Sequence, residues 1–143
     1  MPVYPGTSFL VSLYVKDNHS AEAADHMAGV DLPILLTPFQ ELEFLNAVYQ
    51  RIFRKEINDK QARASLALFA RDRDHGFYSL KSFDSGFFER GIRLSKKHAS
   101  RTGLRTLDLL HVASALELSA SVFLTFDARQ RTIAMAEGLK VLP

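Results

Sequence analysis

Short apolar runs alternate along this chain with longer segments in which apolar residues recur every three or four positions. Runs of the first kind, rich in β-branched and aromatic residues, are typical of buried strands, whereas the second spacing indicates amphipathic helices. The pattern predicts strands at residues 1–4, 32–36, 77–80, 122–126 and 140–142, and helices at 8–15, 19–28, 37–55, 59–74, 84–100, 105–115 and 127–136. Because strands separated by helices favour parallel pairing, we expect an α/β protein whose sheet carries helices on both faces.

Two carboxylates are candidates for a functional site in such a fold. In open α/β sheets, polar residues at the carboxyl ends of the strands converge on one crevice. Asp127 follows the predicted strand 122–126 directly, and Asp108 lies in the first turn of an otherwise apolar helix. Burial of an unpaired carboxylate costs several kcal/mol or more. Asp108 is therefore expected either to cap its helix, as Thr106 in the same turn also could, or to pair with or hold a cation.

A third acid lies on the helix predicted at 37–55. The apolar side of this helix is predicted to contain Phe39, Leu42, Leu45 and Tyr49. Glu43 lies at the flank of that side, and Asn46 is its neighbour on the helix surface because the two are three positions apart. Glu41 is the competing acid, although its first-turn position suits an ordinary interaction with the helix dipole.

Composition limits the class of protein. The chain has 143 residues, of which 47% are hydrophobic, and we expect residues 1–143 to form a single domain with a proper core. The absence of cysteine excludes a disulfide scaffold and a thiolate metal site and fits a reducing compartment. The first residues lack the basic start of a signal peptide, and no apolar segment is long enough to cross a membrane. We therefore expect a cytoplasmic protein without a membrane partner.

The distribution of charge is more informative than its net value of +2. Between residues 90 and 105, Lys and Arg recur and no Asp or Glu interrupts them. Such a stripe can bind phosphates, because each neutralised phosphate releases counterions. The candidate RNA-binding residues are Arg90, Arg93, Lys96, Lys97 and Arg101. The alternative is a solvated helix face without a ligand.

His111 and a group of aromatic residues each allow two interpretations. His111 is three positions from Asp108, so that both could bind one metal ion from the same side of a helix, but imidazole suits zinc or copper better than Mg²⁺. Because no second histidine is near it in sequence, we favour a packed, hydrogen-bonded core histidine. The aromatic group contains Phe69, Phe77, Tyr78, Phe83, Phe87 and Phe88. These rings could stack on nucleic-acid bases, but we expect most of them in the core.

Four segments, taken together and in order, resemble the PIN-domain proteins of the VapC-like toxin type over essentially the whole chain. The segments are residues 6–14, 43–47, 105–111 and 125–127. The resemblance implies an α/β fold built as a three-layer α/β/α sandwich with a central parallel sheet. It also implies a metal-dependent endoribonuclease that uses Mg²⁺ or Mn²⁺, cleaves RNA, usually forms a homodimer and is the toxin of a pair with a cognate antitoxin protein.

The resemblance extends to individual positions. Glu43, Asp108 and Asp127 match the acids that bind the metal and carry catalysis in the family. Ser8 and Thr125 match hydroxyls that support those acids, and Asn46 matches a common polar neighbour. These assignments imply that side chains far apart in sequence meet in one anionic pocket.

One position departs from the family pattern, which has Asp where this chain has Gly6. Without the resemblance, Pro5 and Gly6 would indicate only a turn. Compared with the family pattern, this chain lacks the metal ligand at position 6. We therefore expect reduced activity and less repulsion among the acids. The alternative is a catalytically impaired module that binds RNA or an antitoxin. A third interpretation, a different metal-dependent phosphohydrolase, fits the acids alone.

Overall fold

The strands of the computed structural model, which describes residues 1–143, form two parallel sheets that lie side by side. One sheet has the order β1 (Val3–Pro5), β4 (Val122–Leu124), β5 (Lys140–Leu142), and the other pairs β2 (Ile34–Leu36) with β3 (Tyr78–Leu80). The Gln40 side chain links the two sheets, because its Nε2 atom donates to the Pro5 carbonyl at 2.8 Å and to the Leu35 carbonyl at 3.4 Å. Every strand pair is parallel, as the alternation of elements predicted.

The helices are α1 (Thr7–Tyr14), α2 (Ser20–Ala28), α3 (Pro38–Phe53), α4 (Asp59–Asp74), α5 (Ser85–Leu94), α6 (Ser100–Thr102), α7 (Thr106–Glu117) and α8 (Ala128–Ala136). Capping boxes fix two of their starts: Thr37 with Gln40 at α3, and Asn58 with Gln61 at α4. The predicted helix 84–100 is confirmed as an uninterrupted run of helical residues from 85 to 102, but its middle segment, Ser95–Ala99, is π-helical and separates α5 from α6. The strands are three residues long and therefore shorter than most of the predicted ones.

Alternate residues of the strands enter two separate cores. Val3, Val122 and Leu124 belong to a first core with residues of α1, α3 and α4. Tyr4 and Phe123 belong to a second core with residues of α7 and α8. Successive strand residues point to opposite faces of a sheet, so that helices cover both faces. The predicted three-layer α/β/α sandwich is confirmed.

The interior position of α7 explains how charged groups come to be buried. All its residues from Asp108 to Ala115 are buried, and the helix packs against α5 and α8. A helix that is apolar almost all round is expected in the interior. Asp108 and His111 are thus carried into the protein by their own helix. No helix of the protein is both long and apolar enough to cross a membrane.

The predicted apolar side of α3 is wrong. Leu42, Leu45 and Tyr49 are 66%, 40% and 52% exposed. The buried positions of α3 are Gln40, Phe44 and Val48, which are four residues apart. Gln40 turns this side inward because it bonds to both sheets. On α4, likewise, the polar Ser65 is buried and the apolar Leu68 is 43% exposed.

Candidate active site

The site begins where the central strands end. Gly6 directly follows β1, and its backbone N–H donates to the Leu124 carbonyl of β4 at 2.8 Å. A Cβ atom at position 6 would lie 3.7 Å from Cβ of Thr125, the first residue after β4. Thr125 is fully buried. Positions 6 and 125 are therefore neighbours at the carboxyl edge of the sheet.

Glu43 reaches this edge from α3 and is bound by two side chains. Its Oε1 atom accepts a hydrogen bond from Thr7 Oγ1 at 2.8 Å and contacts His111 Nε2. Burial raises the pKa of Glu43, but the hydrogen bond and charge of His111 and the hydrogen bond from Thr7 outweigh it and hold that pKa below its ordinary value. Glu43 is therefore a carboxylate at neutral pH.

His111 is an interior residue with 1% of its surface exposed. Its Nδ1 atom is 2.9 Å from the Tyr4 hydroxyl, and its Nε2 atom is 3.1 Å from Thr7 Oγ1. Nε2 of His111 contacts the Glu43 carboxylate, which can only accept a hydrogen bond, and Thr7 has already given its only hydroxyl proton to Glu43. Nε2 of His111 must therefore carry a proton and act as the donor. The prediction of a packed, hydrogen-bonded core histidine is confirmed. Its carboxylate partner is Glu43 and not Asp108.

Asp108 lies in the first turn of α7 and is 9% exposed. Its Oδ1 atom accepts a hydrogen bond from Gln130 Nε2 at 3.1 Å. Its Oδ2 atom is buried without a hydrogen-bond partner, and Nε of the mostly exposed Arg105 is 3.8 Å away. Because the N-terminus of α7 has no side-chain cap, Asp108 does not cap its helix. A buried polar atom without a partner is rare in folded proteins and leaves room for a water or an ion.

Asp127 is the N-cap of α8. Its Oδ1 atom accepts hydrogen bonds from the backbone N–H groups of Arg129 at 2.8 Å and Gln130 at 3.0 Å. The backbone N–H of Asp127 donates in turn to Thr125 Oγ1 at 3.0 Å. A carboxylate at this position stabilises the first turn of a helix. Asp127 thus has a structural role that the sequence did not show.

The three acids open onto two neighbouring cavities. Glu43 and Asp108 line the same cavity, about 530 Å³ in volume, together with Asn46. Asp127 lines a second cavity of about 370 Å³, and Thr7 lines both. No group of three or more His, Asp or Glu side chains is arranged to hold a metal ion. The expected single anionic pocket is therefore a pair of acids, with the third acid in the adjoining cavity.

The two supporting hydroxyls contact each other and make no direct hydrogen bond to the carboxylate of any of the three acids. Ser8 Oγ is 3.3 Å from Thr125 Oγ1 and accepts a hydrogen bond from the Phe126 backbone at 3.1 Å. Thr125 Oγ1 donates to Gln130 Oε1 at 2.9 Å. The side chains of Ser8 and Thr125 thus reach Asp108 only through Gln130, which sequence reasoning did not select.

Whether a divalent ion fits this site depends on the carboxylate oxygens that accept no hydrogen bond. Glu43 uses only Oε1 in its hydrogen bonds, and Oδ2 of Asp108 has none. Mg²⁺ takes oxygen ligands, keeps several waters and is commonly held by one or two carboxylates. The pair of acids therefore fits a hydrated Mg²⁺ or Mn²⁺ ion. It does not form a complete ligand cage.

The basic stripe is largely paired with acids from other parts of the chain. Arg90 Nε is 2.7 Å from Glu117, which Arg93 also approaches at 3.9 Å. Lys97 Nζ is 3.3 Å from Glu137. None of the five candidate RNA-binding residues lines either acid cavity; the cations that do are Arg105 in the first and Arg51 and Arg54 in the second. The role of the stripe in RNA binding stays a prediction.

The aromatic candidates divide between core and surface. Phe69, Tyr78 and Phe87 are buried and Phe83 is half-buried, so that half of the six, rather than most of them, are buried. Phe77 and Phe88 are 39% and 52% exposed. None of the group lines either acid cavity. Stacking of these rings on bases at the acids therefore has no support in the geometry.

Sequence reasoning missed four contacts that organise the acids. They involve Tyr4, Thr7, His111 as the partner of Glu43, and Gln130. Thr7 had a signal, since it lies in the segment 6–14 that carries the resemblance. Gln130 stands three positions after Asp127, a spacing that indicates only a helix cap. Its bond to Asp108 joins residues 22 positions apart and depends on the tertiary fold.

A family model described as PIN domain matches residues 3–135. The chain belongs to the PIN-domain family. This match covers the elements that carry Glu43, Asp108 and Asp127, and it supports a nuclease in general terms. A search of curated proteins finds no match for the chain.

Solved structures share the fold of this PIN domain. VapC20 of Mycobacterium tuberculosis, described as a sarcin-ricin loop cleaving toxin, has a TM-score of 0.73 at 16% identity, with 99% of each chain covered. VapBC2 of Rickettsia felis, solved with a DNA fragment from the promoter, has a TM-score of 0.67 at 17% identity, covering 99% of this chain and 98% of the other. A toxin-antitoxin complex from Klebsiella pneumoniae has a TM-score of 0.65 at 14% identity, covering 100% and 97%.

Proposed function

We propose that this PIN domain is a divalent-metal-dependent endoribonuclease, the toxin of a toxin–antitoxin pair, whose activity is reduced by Gly6. The observation that carries the proposal is the position of Glu43 and Asp108 on one cavity, each with an oxygen that accepts no hydrogen bond. Such a pair suits Mg²⁺ or Mn²⁺. The expected location is the cytoplasm.

The residues of the site divide into holders of the ion and supports. Glu43 and Asp108 would hold the ion, directly or through water. Asp127 is included as a third holder because its position matches a metal-binding acid of the family. When bound, the ion supplies an activated water and stabilises the charge that develops on the phosphate. Thr7 and His111 keep Glu43 ionised and fix its orientation. The protein thereby presents negative charge to the ion without needing to reorganise.

RNA would be held near the acids by the cations that line the two cavities. Arg105 borders the cavity of Glu43 and Asp108, and Arg54 borders the adjoining one. Arginine matches phosphate geometry through paired N–H donors. The candidate stripe, Arg90, Arg93, Lys96, Lys97 and Arg101, would contact the RNA farther from the acids.

Gly6 removes a carboxylate that the family has at the strand end. Loss of even a supporting partner of a metal ligand typically costs about 10–100-fold in affinity or activity. We expect Gly6→Asp to cleave one RNA at least about 10-fold faster in Mg²⁺ than this chain does. We also expect this chain to fold as well as Gly6→Asp or better, because added carboxylates repel. Equal cleavage rates would contradict the assigned role of position 6.

The test of the function uses one labelled RNA with Mn²⁺, with Mg²⁺ and with a chelator. We expect slow cleavage that the chelator abolishes. Asp108→Asn should weaken the Mn²⁺ isotherm in calorimetry, whereas Asp59→Asn, an exposed first-turn acid of α4, should not. An isotherm that Asp108→Asn leaves unchanged would remove that residue from the site. Hydrolysis of a small phosphate ester but not of RNA would favour a different phosphohydrolase.

We propose a cognate antitoxin and a second copy of this chain as its protein partners. The similar fold of the Klebsiella pneumoniae toxin-antitoxin complex supports the first, and the family resemblance supports the second. Sedimentation velocity measures the oligomeric state, and we expect a species near twice 16.1 kDa. A monomer at all concentrations would exclude the homodimer.

The second candidate function is a catalytically impaired module that binds RNA or an antitoxin. Gly6 and the lack of a metal-holding group of three acids favour it. Gel-shift assays separate the two candidates. Binding of RNA without any Mn²⁺-dependent cut supports the module, whereas a chelator-sensitive cut supports the enzyme.

A further inference from the structure

The side chain of Gln130 occupies the space between Gly6, Thr125 and Asp108. It is 5% exposed, and both ends of its amide are bonded. Oε1 accepts from Thr125 Oγ1 at 2.9 Å, and Nε2 donates to Asp108 Oδ1 at 3.1 Å. Gln130 is the only side chain that gives Asp108 a hydrogen bond.

The hydrogen bonds that end at Asp108 run in one direction. A carboxylate only accepts, so that the amide must turn its NH₂ group to Asp108 and its oxygen to Thr125. Thr125 then donates its hydroxyl proton to Gln130, and the proton between Ser8 and Thr125 must come from Ser8. The direction is therefore Ser8 to Thr125 to Gln130 to Asp108. The supporting hydroxyls orient the acid only if residue 130 can accept at one end and donate at the other.

The glycine at position 6 makes room for this amide. A Cβ atom there would lie 3.2 Å from Gln130 Oε1 and 3.2 Å from the Leu124 carbonyl oxygen, which is tighter than ordinary van der Waals contact. A carboxylate on that Cβ atom would add charge next to an amide oxygen. An Asp at position 6 would therefore require Gln130 Oε1 to move by a few tenths of an ångström from its observed place.

From these contacts we infer that Gln130 is the positioning residue of Asp108, and that its neutral amide fills the place beside Asp108 that Gly6 leaves open. The inference rests on the proposed function for the role of Asp108. According to this inference, the neighbour of Asp108 is an amide donor and not a further carboxylate. The charge around Asp108 is therefore set by residue 130 as well as by residue 6.

A double-mutant cycle without metal tests the hydrogen bond itself. Gln130→Glu keeps the shape but turns the donor into a carboxylate against Asp108, and like charges at contact repel. We expect its Tm in chelator to fall by about 5 °C. In Asp108→Asn the new amide at 108 can donate to the carboxylate at 130, so that the double variant Asp108→Asn with Gln130→Glu should recover most of that loss. A role in packing alone would not give recovery.

A control variant distinguishes the effect of an added negative charge from the effect of placing that charge at residue 130. Gln50→Glu adds the same charge at an exposed residue on the rim of the cavity shared by Glu43 and Asp108. It should change the Tm by less than about 1 °C, with or without Asp108→Asn. If Gln130→Glu fails to fold, Gln130→Met completes the same cycle, because it keeps the chain length and removes only the amide. Additive effects of residues 108 and 130 in the cycle that folds would overturn the inference.

A final measurement distinguishes this inference from the proposed function. Mn²⁺ should raise the Tm of Gln130→Glu by more than that of Gln50→Glu, because a cation relieves the repulsion between residues 108 and 130. If the cycle shows coupling and Mn²⁺ shifts neither variant, the positioning role stands and the metal-dependent function fails. If RNA cleavage is metal-dependent and the cycle is additive, the function stands and the positioning role fails.

Discussion

The two acids that share a cavity are held in opposite ways. Glu43 has a hydroxyl and an imidazole on one of its oxygens, and these groups keep its pKa low. Asp108 has an amide on one oxygen and no hydrogen bond on the other, which Arg105 approaches only at 3.8 Å. An ionised carboxylate with incomplete hydrogen bonds is costly in the interior. The site thus combines one acid that the fold stabilises with one that a ligand would stabilise.

Replacement of Glu43 should reveal its low pKa as a pH-dependent loss of stability. Because the folded pKa lies below the ordinary value of 4.5, the stabilisation is complete above that value and is lost as pH falls through the folded pKa. Glu43→Gln should therefore lower the Tm near neutral pH, and the difference from the parent should shrink toward about pH 3. Glu89→Gln, at an exposed position, is the control. A difference that is constant across this range would contradict the assignment.

The hydroxyl of Tyr4 should contribute measurably to stability through His111. Burial raises the pKa of Tyr4, so that its O–H stays protonated and available to the buried Nδ1 atom. Tyr4→Phe leaves that atom without a partner, which should lower the free energy of unfolding by about 1–3 kcal/mol. Tyr49→Phe removes a hydroxyl from an exposed ring and should have almost no effect. Urea unfolding of both variants measures the contrast, and equal effects would refute it.

The identities of the acids could be predicted from the sequence, but not their partners. Asp108 and Glu43 were found because acids in an apolar helix and at the flank of a helix match a family pattern. Of the two roles considered for Asp108, the structure excludes the helix cap, and Asp127 caps α8, a role that the sequence analysis did not consider. Gln130 could not be found, because only the packing of α8 against α7 brings it to Asp108.

At the scale of elements, α3 shows which features of a helix local sequence determines. Its start was predicted correctly, because Thr37 and the proline after it are local signals. Its buried side was predicted incorrectly, because the inward position of Gln40 depends on carbonyls of β1 and β2. The shortness of the strands and the π-helical segment within the helix 84–100 were also missed. Tertiary contacts override local propensity at such places.

The buried cap of α3 should matter more than the exposed cap of α4. Thr37 is fully buried, and its partner Gln40 also holds the two sheets together. Thr37→Ala should cost about 1–2 kcal/mol of unfolding free energy, at the upper end for N-caps. Asn58→Ala removes the matched cap of the exposed capping box and should cost less. Chemical denaturation of both variants provides the test, and a larger loss for Asn58→Ala would show that Gln40 does not couple the cap to the sheets.

At the scale of the whole molecule, the sheet both separates and joins the two cores. Each central strand sends side chains into both of them, Val122 and Leu124 to one and Phe123 to the other. The layer architecture was predictable, because it follows from the alternation of strands and helices. The division of the acids between two cavities was not, because it depends on where each helix begins relative to the sheet.

The single domain predicted for residues 1–143 should unfold in one transition. Because the strands belong to both cores, neither core can lose its packing alone. Tyr4 lies in one core and Tyr78 in the other, so that near-ultraviolet dichroism reports on both. Its urea transition should coincide with the far-ultraviolet transition. Separate midpoints would indicate two independently folding units.

The capping role of Asp127 complicates the mutational dissection of this protein. Truncation of that residue to alanine would unwind the beginning of α8 and displace Gln130, so that a drop in turnover could not be distinguished from damage to the scaffold. Asparagine keeps an oxygen that can accept the same backbone protons and removes only the negative charge. Asp127→Asn is accordingly the substitution from which a chemical contribution at this position can be read.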